Sequence, residues 1–316
     1  MLKLKALLLT QGMHGMISQV EGLAKALGLS YRHEEIQLKK FWNLIPPKFT
    51  PIFEDILDKK FICDARIVIS CGRKSVIPSI LLKKRFKKEI FNIHIQDPKV
   101  NLNNFDCIIC PEHDSLHGEN VIETKGAIHY LTNNEIQKNI DYLKPNSGSK
   151  KIVTFVLGGP NKYYNFSLKQ MDKMFAKVKN MFISSKYKII IIPSYRTPDN
   201  ILKLAFNYFN QDHLVIKERD KKAYLSSLGL ANIIIVTCDS TSMISEAAIT
   251  GKRVYVSQMD HKMNINRFEK FYKLFKDLGI IRNLENKIEH WTYDGLDEVN
   301  RAANLVKEKM KKNGII

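Results

Sequence analysis

Short apolar runs alternate with stretches whose hydrophobic positions recur at helical spacing along the whole 316-residue chain. That alternation predicts β-α units wound into parallel sheets. A strand buried on both faces reads as one continuous apolar run, and its covering helix carries a single apolar stripe. In the first half the runs predict strands near 4–9, 66–70, 90–95 and 106–110. Ile17, Val20, Leu23, Ala24 and Leu27 fall on one face of a helix that Gly28 stops. Pro145-Asn-Ser-Gly-Ser-Lys150 is polar and rich in turn formers, and it reads as a linker. Beyond it the alternation starts afresh, with strands near 152–157, 188–193, 214–217, 233–237 and 253–257 and helices over 167–182, 198–209 and 242–250. A basic helical tail covers 296–312. The expected architecture is therefore α/β: two Rossmann-like, doubly wound parallel-sheet domains, over 1–145 and 151–316, facing a central cleft. The tail helix is assigned to the second domain, with the option of packing back on the first.

Length agrees with two domains of about 150 residues each. A hydrophobic fraction of 44% with 26% charged residues suits a globular chain with substantial cores. The charge changes the picture. A formal net charge of +18, carried mostly by lysine, points either to an anionic partner or to a lysine bias that solvates the surface. Phosphate-bearing substrates and an anionic membrane surface fit such a charge. Nucleic acid is not expected, because no arginine-rich or aromatic-interleaved stripe is present. The cysteines, Cys63, Cys71, Cys107, Cys110 and Cys238, are odd in number and lack disulfide spacing, which predicts reduced thiols in a cytoplasmic protein. Cys107 and Cys110 form a CxxC with no second pair to complete a zinc site, so no metal is expected. No apolar run approaches the roughly 20 residues of a membrane span, and the N-terminus is not read as a signal peptide.

In open α/β sheets ligands bind at the carboxyl ends of the strands, so the segments there carry the candidate chemistry. After the first strand comes Thr10-Gln-Gly-Met-His-Gly-Met-Ile-Ser-Gln19, in which Gly12 and Gly15 permit a tight turn into the helix. His14 between them is a candidate general base toward a hydroxyl, with a natural pKa near neutrality. Asp97, in Ile93-His-Ile-Gln-Asp-Pro-Lys99, is the rival carboxylate base. Arg73 and Ser75, in Ser70-Cys-Gly-Arg-Lys-Ser75, are candidates to grip an anionic or hydroxylated acceptor, and Pro111-Glu-His-Asp114 closes the fourth strand.

The second half is more specific. Val156-Leu-Gly-Gly-Pro-Asn-Lys162 offers Gly158 and Gly159 for close approach of a phosphate, with Asn161 and Lys162 beside them. Ser194, Arg196 and Thr197 are donors at the next strand end. In the run from Ile233 to Gly251 an apolar strand passes through Asp239, Ser240, Thr241, Ser242 and Met243 into a short helix. Caps, hydroxyls and backbone N–H groups at a positive helix end make a natural diphosphate seat. Glu246, four residues beyond Ser242 and on the same helix face, is a candidate for the ribose hydroxyls.

Taken in order, these segments resemble the mitochondrial-fission "elongated mitochondria" family. The matching stretches are Gly12-Met-His-Gly-Met16, Gln19, Gly22-Leu-Ala24, Cys71-Gly-Arg73, His94 to Lys99, Phe105-Asp106, Pro111 to Asp114, Leu157 to Lys162, Ser194 to Pro198, Val236 to Met243, Ser245-Glu-Ala-Ala248 and Thr250-Gly-Lys252. The resemblance covers nearly the whole chain. It implies the glycosyltransferase-B (GT-B) fold, with a sugar nucleotide held by the Gly158-Gly159 loop, Arg196, the 239–243 turn and Glu246. Two departures stand out: Ser194-Tyr-Arg196 carries one arginine where a more basic Ser-Arg-Arg is expected, and Cys238 intrudes before Asp239.

The expected function is metal-independent transfer of a sugar from a nucleotide-diphosphate sugar, a substrate and not a cofactor, to a hydroxyl acceptor. A lipid-linked or phosphorylated envelope glycan at the inner face of the membrane suits the basic surface. Nucleotide-sugar epimerisation and a non-catalytic, membrane-associated interaction role remain open. A dinucleotide oxidoreductase is disfavoured, since no Gly-x-Gly-x-x-Gly follows a strand.

Overall fold

The computed structural model describes residues 5–144 and 149–316, and these form two compact units. The first comprises Met1–Tyr130 with Asp297–Ile316, the second Leu131–Leu296. The boundary expected at 145 therefore falls inside the second unit, and the tail helix belongs to the first. Most of the expected linker lies outside the described residues.

The first unit runs β1 (Lys5–Thr10), α1 (His14–Ala26), β2 (Ser30–Glu35), α2 (Lys40–Leu44), β3 (Ile67–Cys71), α3 (Val76–Phe86), β4 (Phe91–Ile95), β5 (Cys107–Pro111) and β6 (Val121–Thr124). Its six strands are all parallel, in the order β2-β1-β3-β4-β5-β6. The second unit runs α4 (Asn133–Asn139), β7 (Lys151–Leu157), α5 (Leu168–Met181), β8 (Tyr187–Pro193), α6 (Asp199–Phe209), β9 (Leu214–Val215), α7 (Lys221–Leu230), β10 (Ile233–Thr237), α8 (Thr241–Ala248), β11 (Arg253–Ser257), α9 (Asn266–Asp277) and β12 (Ile281–Asn283). Its sheet is likewise parallel, ordered β12-β11-β10-β7-β8-β9. The final helix, α10 (Glu298–Lys312), returns to the first unit.

Both sheets reverse direction beside their first strand. In the first, β1 leads outward to β2 and the chain then comes back to place β3 on the other side of β1. In the second, β7, β8 and β9 proceed one way before β10 is laid against β7. At such a switch point two consecutive loops diverge and leave a crevice at the strand ends, which is where ligands bind in this class of sheet.

The apolar strand runs are buried on both faces. In the first unit Leu8, Ile69 and Ile93 share one core layer with Val299, Ala302 and Val306 of α10. Leu7, Leu9 and Val68 face the other layer with Val76 and Ile80 of α3. Cys107 lies in the first of these layers and Cys110 in the second, so the CxxC straddles the sheet and its thiols cannot meet one ligand. Burial pushes the Cys107 thiol up to about 12, a packing residue and not a reactive one. No helix among the described residues is long and apolar enough to cross a membrane.

Candidate functional site

The second switch point is where polar side chains converge. Thr237 ends β10, and its hydroxyl accepts from the Gly158 N–H at 2.8 Å, joining the ends of β10 and β7. The same hydroxyl donates to Asp239 Oδ1 at 2.6 Å. Asp239 Oδ2 accepts from the Gly159 N–H at 3.2 Å and from Arg196 Nη2 at 2.5 Å, while Arg196 Nη1 donates to the Gly159 carbonyl at 2.6 Å. The Asp239 side chain is wholly buried and that of Arg196 is 37% exposed. Burial pushes the Asp239 carboxyl above its ordinary range. The Arg196 guanidinium, the Thr237 hydroxyl and the Gly159 N–H pull it back.

This network corrects several expectations. The two glycines do not hold open a space for phosphate. A Cβ at Gly158 would lie 2.1 Å from Asp239 Oδ1 and one at Gly159 1.8 Å from the Arg196 carbonyl oxygen, so the approach that requires glycine is internal. Thr197 is buried, and its hydroxyl lies 2.7 Å from the Gly158 carbonyl. Ser194 Oγ accepts the Arg196 N–H at 3.2 Å, and Asn161 Nδ2 donates to the Asp239 carbonyl at 3.0 Å. The bonds of these groups go to the backbone of the loops themselves. Lys162 is exposed, its ammonium 4.7 Å from the centre of the Tyr163 ring.

The start of α8 completes the arrangement. Ser240 is its N-cap, with Oγ accepting from the Met243 N–H at 3.4 Å. The N–H groups of Thr241 and Ser242 have no intrahelical acceptor, as in any first helical turn, and both residues are partly exposed. Glu246, one turn in, is buried and accepts from the Tyr224 hydroxyl of α7 at 2.7 Å. Burial pushes its carboxyl up to about 7. The candidate for the ribose hydroxyls is thus an internal carboxyl, bonded to Tyr224. Thr237, Tyr224 and Tyr272, whose hydroxyl donates to the Cys238 carbonyl, were not singled out from the sequence. Thr237 alone had a visible signal, a hydroxyl closing an apolar strand beside a Gly-Gly loop.

In the first unit the candidate loops after β1 and β3 touch, Gln11 Oε1 accepting from the Lys74 N–H at 3.4 Å. His14 is the exposed first residue of α1, with Gly15 beside it in open space and Gly12 turned at φ 81° against the Glu35 carboxylate. Asp97 is tied back by its own turn: Oδ1 accepts the Lys99 N–H at 2.8 Å and Oδ2 pairs with the Lys99 ammonium. Gln96 and Lys99 flank it at φ 83° and 58°, a backbone cost that non-glycine residues rarely carry. Arg73 donates to the backbone carbonyls of Asn43 and Ile45, so it anchors the chain after α2 instead of facing an acceptor. Ser75 is fully buried and donates to the Gly72 carbonyl at 2.8 Å, which removes it as a surface donor.

Among the described residues no group of three or more His, Cys, Asp and Glu side chains is disposed to hold one metal ion. A cavity of about 640 Å³ lies beside α5, lined by Lys169, Lys173, Lys177, Ser257 and Gln258 among others, and holds none of the expected nucleotide-sugar residues.

A family model described as Mitochondrial fission ELM1 matches residues 14–310. The Mitochondrial fission protein ELM1 of Arabidopsis thaliana is 25% identical over 279 residues, covering 78% of this chain and 64% of the plant protein. The chain thus spans just under two thirds of that relative. An uncharacterized protein of Rickettsia prowazekii (strain Madrid E) is 24% identical over 307 residues, covering 83% of this chain and 84% of the other. Among solved structures, the UDP-GlcNAc 2-epimerase of Neisseria meningitidis bound to UDP-GlcNAc has a TM-score of 0.54 at 12% identity, covering 98% of this chain and 100% of that one. Acinetobacter baumannii MurG has a TM-score of 0.54 at 10% identity, covering 98% and 94%. At such identities the likeness shows the fold, which is of GT-B type.

Proposed function

The chain belongs to the mitochondrial fission ELM1 family, and from that footing we propose that it transfers a sugar from a nucleoside-diphosphate sugar to a hydroxyl acceptor. The carrying observation is the convergence of the Arg196 guanidinium and the start of α8 at the second switch point. Donors gathered there form a site for an anion. Asp239 already neutralises part of that charge. In this reading it is the residue that holds Arg196 in place, with the exposed part of the guanidinium and the N–H groups of Thr241 and Ser242 left for the diphosphate. Lys162 adds charge at the rim.

Preorganised N–H groups and a guanidinium stabilise a leaving diphosphate through fixed dipoles and charge, so the reading requires no divalent cation. Glu246 takes the ribose hydroxyls in exchange for the Tyr224 hydroxyl. A carboxyl pushed up to about 7 both donates and accepts near neutral pH. His14, exposed at the start of α1, takes the proton from the acceptor hydroxyl. A lipid-linked or phosphorylated glycan suits the +18 chain as acceptor.

A thermal-shift screen against UDP-, GDP-, ADP- and CMP-sugars tests the donor site, because a ligand bound only by the native state raises its melting point. The positive donor is then incubated with and without acceptor. Nucleoside diphosphate released only with acceptor supports transfer, whereas isomerised sugar without acceptor supports an epimerase. If no nucleotide sugar shifts the wild type at millimolar concentration, the donor site does not exist and an interaction role replaces it.

A further inference from the structure

The segment between β2 and β3 carries an exposed apolar surface that the donor site does not use. Four of the thirteen large hydrophobic side chains exposed on the described residues, Phe41, Leu44, Phe49 and Phe53, fall within residues 36–53. Single exposed hydrophobics are ordinary, but concentration into one short segment is not. Leu44 is 80% exposed, Phe49 70% and Phe41 63%. Trp42 lies between the rings of Phe41 and Phe53, at 4.8 and 6.0 Å.

These side chains are presented by a fixed backbone. The Lys39 N–H donates to the Ile56 carbonyl at 2.9 Å, and Asn43 Nδ2 to the Leu38 carbonyl at 2.8 Å. Thr50 Oγ1 donates to the Pro46 carbonyl at 3.0 Å, and Arg73 donates to the carbonyls of Asn43 and Ile45. Leu38, Ile56 and Leu57 plug the base of the segment into the core. The surface is preformed, so docking on it does not first have to order the loop.

Charge selects the occupant. Residues 36–53 hold three exposed lysines, Lys39, Lys40 and Lys48, and no carboxylate; of the carboxylates that border them, Glu54 pairs with Arg85 and Lys60, and Glu35 and Asp55 are exposed. A second copy of this chain would bring lysines against lysines on a molecule already at +18. An anionic bilayer meets both features at once, the aromatic and leucine side chains entering the acyl boundary while the ammonium groups stay among the headgroup phosphates. We propose that residues 36–53 dock this protein on an anionic phospholipid surface, with Phe41, Leu44 and Phe49 inserted. The inference stands apart from the donor-site reading, because it is tested without any sugar nucleotide.

The test is co-sedimentation of the full chain with vesicles of phosphatidylglycerol and phosphatidylcholine in equal parts. The wild type is expected to pellet with these, to stay in solution with pure phosphatidylcholine, and to be released by salt. The double variant Leu44→Glu/Phe49→Glu should lose at least tenfold in partitioning, and Lys39→Gln/Lys40→Gln/Lys48→Gln about a hundredfold. Both should keep the wild-type circular dichroism and melting point, since every altered side chain is exposed. In a Trp291→Phe background, lipids brominated near the headgroup should quench Trp42. Equal vesicle binding by wild type and the double variant, or none by wild type, overturns the proposal. So does a wild-type dimer in light scattering that the double variant abolishes.

Discussion

The two sheets share a winding scheme but finish their strand ends by different means. In the first unit the chain leaves β1, β3, β4 and β5 through left-handed backbone at Gly12, Gly72, Gln96 with Lys99, and Ser115. In the second, the turns after β7, β8 and β10 contain no residue of positive φ. Side chains close them instead, and their bonds meet on the Asp239 carboxylate. A backbone kink is a local cost, of order 1–3 kcal/mol for a non-glycine residue, and is confined to its own loop. A buried carboxylate shared by three loops is a common dependency. The first unit should therefore tolerate changes one loop at a time, and the second should not.

Asp239→Ala is the sharpest way to break that contrast. It leaves the Arg196 guanidinium, the Gly159 N–H and the Thr237 hydroxyl without their acceptor; each of the two buried donors left unsatisfied costs about 1–3 kcal/mol, and the partly exposed guanidinium adds less. The loss should appear in urea unfolding followed by Trp291, in the second unit, and not by Trp42, in the first. Equal losses at both tryptophans would mean that Asp239 supports the whole molecule.

Glu246→Gln tests the same unit through pH. Burial pushes the native carboxyl up to about 7, so the folded state holds its proton more tightly than the unfolded chain does. The stability this proton contributes is fully present below the unfolded pKa of about 4.3 and is lost as pH rises through the folded value. Glutamine keeps an acceptor for Tyr224 and carries no charge to bury. The variant should match the wild type near pH 4 and exceed it by roughly 3 kcal/mol at pH 8, seen as a flatter stability profile at Trp291. A wild-type profile that rises between pH 5 and 7 because of this residue would reverse the sign and rule out the buried carboxyl.

How far this was legible in the sequence follows from the same contrast. The turn from Thr237 to Met243 was readable because a fully apolar strand ends abruptly in small polar residues, and α8 begins within one residue of the position expected at 242. What Asp239 does there was not readable. A carboxylate beside an N-cap can turn toward the helix or back beneath the neighbouring loop, and only the pairing of β10 with β7, which are far apart in sequence, decides it. Strand β2, Ser30-Tyr-Arg-His-Glu-Glu35, escaped because an edge strand without an apolar run carries no periodic signal. The return of α10 to the first unit rests on Val299, Ala302 and Val306 meeting Leu8 and Ile69, contacts that no local pattern announces.

Glycines give a finer comparison. Gly159→Ala would put a Cβ 1.8 Å from the Arg196 carbonyl oxygen, which is backbone and cannot rotate away, so the two loops must separate. Overpacking of this kind costs about 1–3 kcal/mol. It should also weaken whatever nucleotide sugar the wild type binds, by displacing Arg196. Binding unchanged in titration calorimetry would separate the Gly158-Gly159 loop from the donor site.

Gly15→Ala is the counterpart in the first unit and has the smallest expected effect. Gly15 is the second residue of α1, at negative φ, and a Cβ there meets nothing within 4 Å. Alanine narrows the unfolded ensemble and favours the helix, so the variant should be more stable by about 0.5–1 kcal/mol at Trp42. The same methyl stands beside His14, where the acceptor hydroxyl is proposed to lie. If the backbone must come close to the acceptor there, turnover falls while stability rises, and the two measurements move in opposite directions. If both rise or turnover is unchanged, Gly15 serves only the helix start and the acceptor is held elsewhere on the unit.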